Sequence, residues 1–216
     1  MNRAVLWDLD GTLVDSEAFH WQSWRYALEA DGVSVTFDQF KTSFGQRNDR
    51  ILRVWLGPGA TMERINRIAD AKEEEYRRLA ETHGLTPLPG AADWLSRLQQ
   101  EGWRQAIASS APRLNVEVML RALHLASYFD AIVSSEDVKH GKPDPEVFLT
   151  AAARLGVPPS HAVVIEDAVA GIEAARRAGM RSVGVSMTTT LDADVAVTSL
   201  AELPPDTFDR LIGARD

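Results

Sequence analysis

Short apolar runs bounded by polar or turn residues recur along the chain at Ala4 to Trp7, Gln105 to Ala108, Ala131 to Val133, Ala162 to Ile165 and Ser182 to Val185. Helical stretches separate them, and that alternation predicts βαβ units around a parallel sheet, an α/β class. Runs that are apolar at nearly every position suit strands covered by helices on both faces. The helix boundaries are marked too. Pro89-Gly90 precedes Ala91 to Gln100, which Gly102 ends; Pro145 opens Glu146 to Leu155 before Gly156; and Gly179 follows Gly171 to Ala178.

The stretch from Ser16 to Leu85 breaks this rhythm. Ala18, Trp21, Trp24 and Leu28 recur at helical spacing, as do Ile51, Val54, Ile65, Ile68 and Ala69, and Gly57-Pro58-Gly59 marks a turn. A return to the α/β pattern after Pro87-Leu88-Pro89-Gly90 predicts a helical unit, residues 16–85, inserted into a sheet domain formed by 1–15 and 86–216. The tail from Leu203 to Asp216 reads as a surface turn and a short final helix.

Composition bounds the chemistry. The 216 residues carry 31 acids against 23 bases, a net charge of −8 that argues against a nucleic-acid partner, which needs a basic face. The helical insertion is nearly balanced, with eleven acids and ten bases, so the surplus belongs to the sheet domain. There is no cysteine, which excludes thiolate metal sites and cysteine nucleophiles. The first residues meet Asp8 too soon for a signal-peptide core, and no apolar run approaches the ~20 residues of a membrane span, so the expectation is a cytoplasmic protein without membrane contact.

The chemistry concentrates at strand ends. Trp7-Asp8-Leu9-Asp10-Gly11-Thr12 closes an apolar strand with two acids two residues apart, which extended backbone turns toward the same side. Two carboxylates so placed call for a cation such as Mg²⁺ or for one protonated member. Val163-Val164-Ile165 ends in Glu166-Asp167, two further oxygen ligands for a hard cation, and Ile107-Ala108 ends in Ser109-Ser110, a hydroxyl with backbone N–H groups for phosphate oxygens. Lys142, on the stiff Gly141-Lys142-Pro143-Asp144-Pro145 loop, supplies a fixed positive charge of the kind a phosphoryl-transfer site uses. In open α/β sheets ligands bind outside the carboxyl ends of the strands, where all four groups fall.

Asp8-Leu9-Asp10-Gly11-Thr12-Leu13-Val14, Ser109, Lys142-Pro143 and Glu166-Asp167-Ala168 together resemble motifs one to four of the haloacid dehalogenase (HAD) superfamily, in order and across nearly the whole chain. The insertion resembles its C1-type cap, within the β-phosphoglucomutase-like and sugar phosphatase branch. The resemblance implies Asp8 as nucleophile, Asp10 as general acid and then base, and Ser109 and Lys142 as phosphoryl-binding groups. It implies Mg²⁺ held by the Asp8 and Asp167 carboxylates and the Asp10 backbone carbonyl, with Glu166 as ligand or water holder. In the cap and the loop after motif two it points to His20, Gly45, Arg47 and Lys72, and to Ser110 and Arg113, as substrate-binding positions. The competing readings are a helix-surface or cap-core histidine beside Trp21 and Trp24 for His20, a solvated face for Arg47 in its polar run, and an i+3 or i+4 partner of the run Glu73-Glu74-Glu75 for Lys72.

The expected function is a Mg²⁺-dependent phosphatase acting on a small phosphorylated metabolite, a sugar phosphate, through an aspartyl-phosphate, in a monomer or alternatively a dimer. The alternatives are a phosphomutase, a 2-haloacid dehalogenase and a phospho-accepting switch domain. Mutases of the branch carry Ser-Lys-Asn where this chain has Ala111-Pro112-Arg113, which favours hydrolysis.

Overall fold

A computed structural model describes residues 2–213. Six parallel strands, β1 (Ala4–Trp7), β2 (Arg104–Ala108), β3 (Ala131–Val133), β4 (Ala162–Glu166), β5 (Arg181–Val185) and β6 (Val195–Val197), form one sheet in the order β3-β2-β1-β4-β5-β6. The strand order reverses beside β1, so the crevice of a doubly wound sheet opens at the carboxyl end of β1 between its neighbours β2 and β4.

Alternation along the strands feeds two cores. Val5 and Trp7 pack with Ile107, Val163 and Ile165 against α5 (Ala91–Gln100), α6 (Arg113–Ala122) and α9 (Thr207–Gly213), while Ala4 and Leu6 pack with Ala106 and Val164 against α7 (Glu146–Leu155) and α8 (Val169–Arg177). Both faces are therefore dry, which is why the strands read as unbroken apolar runs. Trp7 carries a polar handle into this core. Its Nε1 donates to Gln105 Oε1 at 3.0 Å, and Gln105 Nε2 donates to the Leu95 carbonyl at 2.9 Å, so the buried pair is closed without water.

Between β1 and α5 lie four helices, α1 (Glu17–Ala30), α2 (Phe37–Ser43), α3 (Asn48–Leu56) and α4 (Met62–His83). Trp24, Leu28, Phe40, Ile51, Leu52, Ile65 and Ile68 form their own apolar cluster. Thr36 and Gln39 cap α2 reciprocally, and Thr61 Oγ1 accepts from the Arg64 N–H at the start of α4. Val54, read as an inward position, is 75% exposed because Ile51 and Leu52 take the inner face of α3. The chain leaves and re-enters the sheet side by side: Asp15 N donates to Thr86 O and Leu88 N to Leu13 O. The last helix, α9, lies within the tail from Leu203, and its Phe208 and Leu211 are buried, so it closes the core.

Candidate active site

Backbone pairing carries Asp8 and Ser109 one residue past the ends of their strands. Asp8 N donates to Ile165 O at 3.0 Å and Ser109 N to Val133 O at 3.0 Å, which continue the β1 and β2 ladders by one residue and then release the chain at the crevice. Gly11, at φ 82°, turns the chain back so that its own N–H donates to Val14 O. A Cβ there would lie 2.1 Å from Asp167 Oδ2, and one on Gly171 would lie 1.9 Å from Glu166, so two glycines clear the space that the carboxylates fill.

Asp8, Glu166 and Asp167 bring one carboxylate oxygen each within 4.8 Å of the others. Lys142 Nζ donates to Asp8 Oδ1 at 2.5 Å and to Glu166 Oε1, and Glu166 Oε2 accepts from the Ala168 N–H at 2.9 Å. Asp167 Oδ1 is inaccessible and has no hydrogen-bond partner. Burial, against the pull of Lys142 and with the added push of Glu166 and Asp10, holds the Asp8 carboxyl up at about 8. Asp167 is raised by burial and by Glu166 and Asp8. For Lys142 burial acts downward, but the two carboxylates outweigh it and hold the ammonium above the usual lysine range. Three acids and one lysine are short of positive charge, and an orphaned oxygen among hard ligands is what a divalent cation completes.

Asp10 faces the helical side. Its Oδ1 accepts from Ser16 Oγ at 2.6 Å and is 2.9 Å from His20 Nε2. Lys72 Nζ sits 2.9 Å from His20 Nδ1 and 2.7 Å from Glu73 Oε1. An ammonium only donates, so Nδ1 accepts and the proton of a neutral His20 resides on Nε2, aimed at Asp10. Burial raises the Asp10 carboxyl, but His20, the Ser16 hydroxyl and Lys72 outweigh it and hold it below the usual carboxylate range. His20 stacks on Tyr76, ring centroids 4.2 Å apart.

A cavity of about 40 Å³ joins the two halves, with Asp8, Asp10, His20, Lys72, Ser109 and Gly45 among its lining residues. Ser110 lines it as well, and Ser109 Oγ accepts from the Ala111 N–H at 3.0 Å, which leaves the hydroxyl proton free to donate. Two of the expected substrate-binding residues do not line it. Arg47 Nη1 donates to the Ser135 and Val138 carbonyls, each at 3.1 Å, because α3 lies against that loop. Arg113 is drawn into an ion pair with Asp137 at 2.6 Å and also donates to the Ile132 carbonyl. Sequence reading missed Glu73, Tyr76 and Asn115. For the two residues of α4 the signal is the inward stripe Ile65, Ile68, Lys72, Tyr76 and Leu79, whose helical spacing sets Lys72 and Tyr76 among apolar residues rather than on a solvated face; Asn115, on α6, carries no such signal.

This geometry defines a sheet-crevice site of carboxylates around a lysine, and the comparisons with known proteins give its class. Residues 5–185 match the haloacid dehalogenase-like hydrolase family, and the chain belongs to that family. It is 34% identical over 204 residues to validoxylamine A 7'-phosphate phosphatase from Streptomyces hygroscopicus subsp. limoneus, covering 90% of this chain and 89% of that one. It is 36% identical over 192 residues to protein SUPPRESSOR OF QUENCHING 1, chloroplastic, from Arabidopsis thaliana, spanning 86% of this chain but only 18% of that protein's length. Among solved structures, β-phosphoglucomutase from Clostridium difficile superposes with a TM-score of 0.90 at 28% identity, covering 99% of this chain and 98% of that one. No helix of the described residues is long and apolar enough to cross a membrane.

Proposed function

We propose that the chain is a Mg²⁺-dependent phosphatase that hydrolyses a small sugar phosphate through an aspartyl-phosphate on Asp8, with residues 16–85 as a cap over a core of 1–15 and 86–216. The observation that carries this reading is the gathering of Asp8, Glu166 and Asp167 around Lys142, with Asp10 held on the other side of the cavity. Asp8 and Asp167, the Asp10 backbone carbonyl, and Glu166 directly or through water would hold the cation. Its chemistry there is to neutralise phosphate charge and to keep Asp8 ionised.

The protein's own groups account for the remaining chemistry. An Asp8 oxygen forms a bond to phosphorus as the bond from phosphorus to the leaving oxygen breaks, and the Asp10 carboxylic acid gives that oxygen its proton. A dianionic phosphoryl group against Asp10 raises its proton affinity, which loads it as the acid. The resulting Asp10 carboxylate then takes a proton from water. That water's oxygen bonds to phosphorus as the Asp8–phosphorus bond breaks, which releases inorganic phosphate and restores Asp8. Lys142 and Ser109 bind the equatorial oxygens, so catalysis rests on positioning and charge neutralisation. A cavity of about 40 Å³ holds a few waters and no sugar, so α1–α4 must part from the sheet at the paired strands near Asp15 and Thr86 to admit substrate.

Hydrolysis is preferred to mutation because a mutase needs a second phosphate site, and Arg113 in the corresponding loop is committed to Asp137. A phosphate-release screen over sugar and polyol phosphates with Mg²⁺ tests the reading, with Asp8→Asn as the blank. Release by the native enzyme and none by the variant supports it, and equal turnover by the two sinks it. Conversion of β-glucose 1-phosphate to glucose 6-phosphate without phosphate release would instead establish the mutase.

A further inference from the structure

The cavity wall opposite Asp8 takes its character from how its charged groups satisfy one another. Lys72 is the lysine of that wall, and Glu73 neutralises it at 2.7 Å. Glu73 is 6% exposed, and its carboxylate also accepts from Asn48 Nδ2 at 2.6 Å and from Asn115 Nδ2. Burial raises the Glu73 carboxyl, but Lys72, His20 and the Asn48 hydrogen bond outweigh it and keep it ionised. The arginines in reach are engaged elsewhere: Arg47 with two loop carbonyls, Arg50 with Lys142 O, Arg77 with Asn115 Oδ1 and Arg113 with Asp137. None of the four lines the cavity.

We infer that Glu73 restricts the site to phosphomonoesters whose leaving group is uncharged and hydroxyl-rich, and that it rejects a second phosphate or a carboxylate on the same molecule. This rests on the phosphatase reading and narrows its substrate class. A second anion would enter a dry wall where the lysine is already neutralised and where Glu73 itself repels it, and no arginine turns inward to replace the lost water. Hydroxyls instead meet Ser43, Gln46, Asn48 and Ser110, together with the unused lone pairs of Glu73.

The test measures phosphate release with Mg²⁺ from glucose 6-phosphate, sorbitol 6-phosphate, fructose 1,6-bisphosphate and phosphoglycolate. The native enzyme is expected to show kcat/KM at least roughly 100-fold higher on one of the two monophosphates than on the bisphosphate or phosphoglycolate. Glu73→Gln narrows that gap by roughly tenfold, through a lower KM for the bisphosphate. A purely structural role for Glu73 would lower kcat on all four alike and leave the gap unchanged. Asn48→Lys, which sets a cation against the Glu73 carboxylate without removing it, gives the same narrowing and stands in if Glu73→Gln does not fold. A bisphosphate used as well as the monophosphates by the native enzyme, or an unchanged gap in whichever variant folds, overturns this inference and leaves the phosphatase reading standing. No release from any of the four overturns both.

Discussion

The two halves of the site are built on opposite principles. The sheet half, Asp8, Lys142, Glu166 and Asp167, gathers three carboxylates against one lysine and leaves Asp167 Oδ1 without a partner. The helical half runs from Asp10 through His20 and Lys72 to Glu73 and Asn115, and each group in it has a partner of the right polarity. The first half is incomplete by itself and the second is not. Incompleteness at strand ends suits chemistry on a dianion with a metal, whereas a closed network shared by α1, α4, α6 and the loop after β1 fixes shape and charge on the facing wall.

That contrast is open to being broken, and the largest effect belongs to the sheet half. Asp8→Asn removes the nucleophile and should lower phosphate release by about 10⁴-fold or more while thermal unfolding shows an intact fold. Activity near the native rate would move the chemistry elsewhere. Next comes Lys142→Ala, which leaves two buried carboxylates facing each other. It should cost about 3–5 kcal/mol in denaturant unfolding of the metal-free protein and reduce kcat by roughly 10²–10³; a loss of stability with unchanged kcat would make Lys142 purely structural.

Proton linkage sharpens the comparison further. Asp8 keeps its proton up to about pH 8 in the metal-free fold but releases it near 3.8 when unfolded, and Asp167 shifts in the same direction. The folded state therefore holds more protons across that window, and stability of the metal-free protein falls as pH rises from about 4 to about 8. Mg²⁺ must displace those protons, so the gap in Tm between Mg²⁺ and chelator is expected to widen from pH 5 to pH 8. A gap that is absent, or constant with pH, would detach the sheet half from a cation. The smallest effect is expected at Arg113, which is 38% exposed in its ion pair with Asp137. Arg113→Ala should change stability by under about 1 kcal/mol and kcat/KM by less than about twofold; a large rise in KM would return that residue to the cavity.

The same contrast explains what the sequence alone discloses. A strand end states its chemistry locally: an apolar run closing in Asp8 and Asp10, or in Glu166 and Asp167, already fixes which backbone delivers the acids and to which end of the sheet. The first five strands are legible to within a residue at each end for that reason, and α5 and α7 match at both ends because Gly and Pro punctuate them. β6 is not, since Val195–Val197 is a three-residue edge strand whose middle residue is exposed and whose ends are only half-buried. On the helical side a side chain's role depends on what packs against it in three dimensions. Arg47 and Arg113 have the right charge, but the nearest acceptors are loop carbonyls and Asp137, and Glu73 sits within an acidic run in which Glu74 is exposed and Glu75 half-buried. Nothing local separates Glu73 from Glu74 except the stripe of Ile68, Lys72 and Tyr76 beside it.

The most direct test of the aspartyl-phosphate mechanism is to quench the enzyme during turnover of a sugar monophosphate with Mg²⁺ and to map any phosphoryl group by peptide mass spectrometry. Phosphorylation of Asp8 is expected in the native enzyme and none in Asp8→Asn. A turning-over native enzyme with no phosphoryl group on Asp8 would contradict the mechanism.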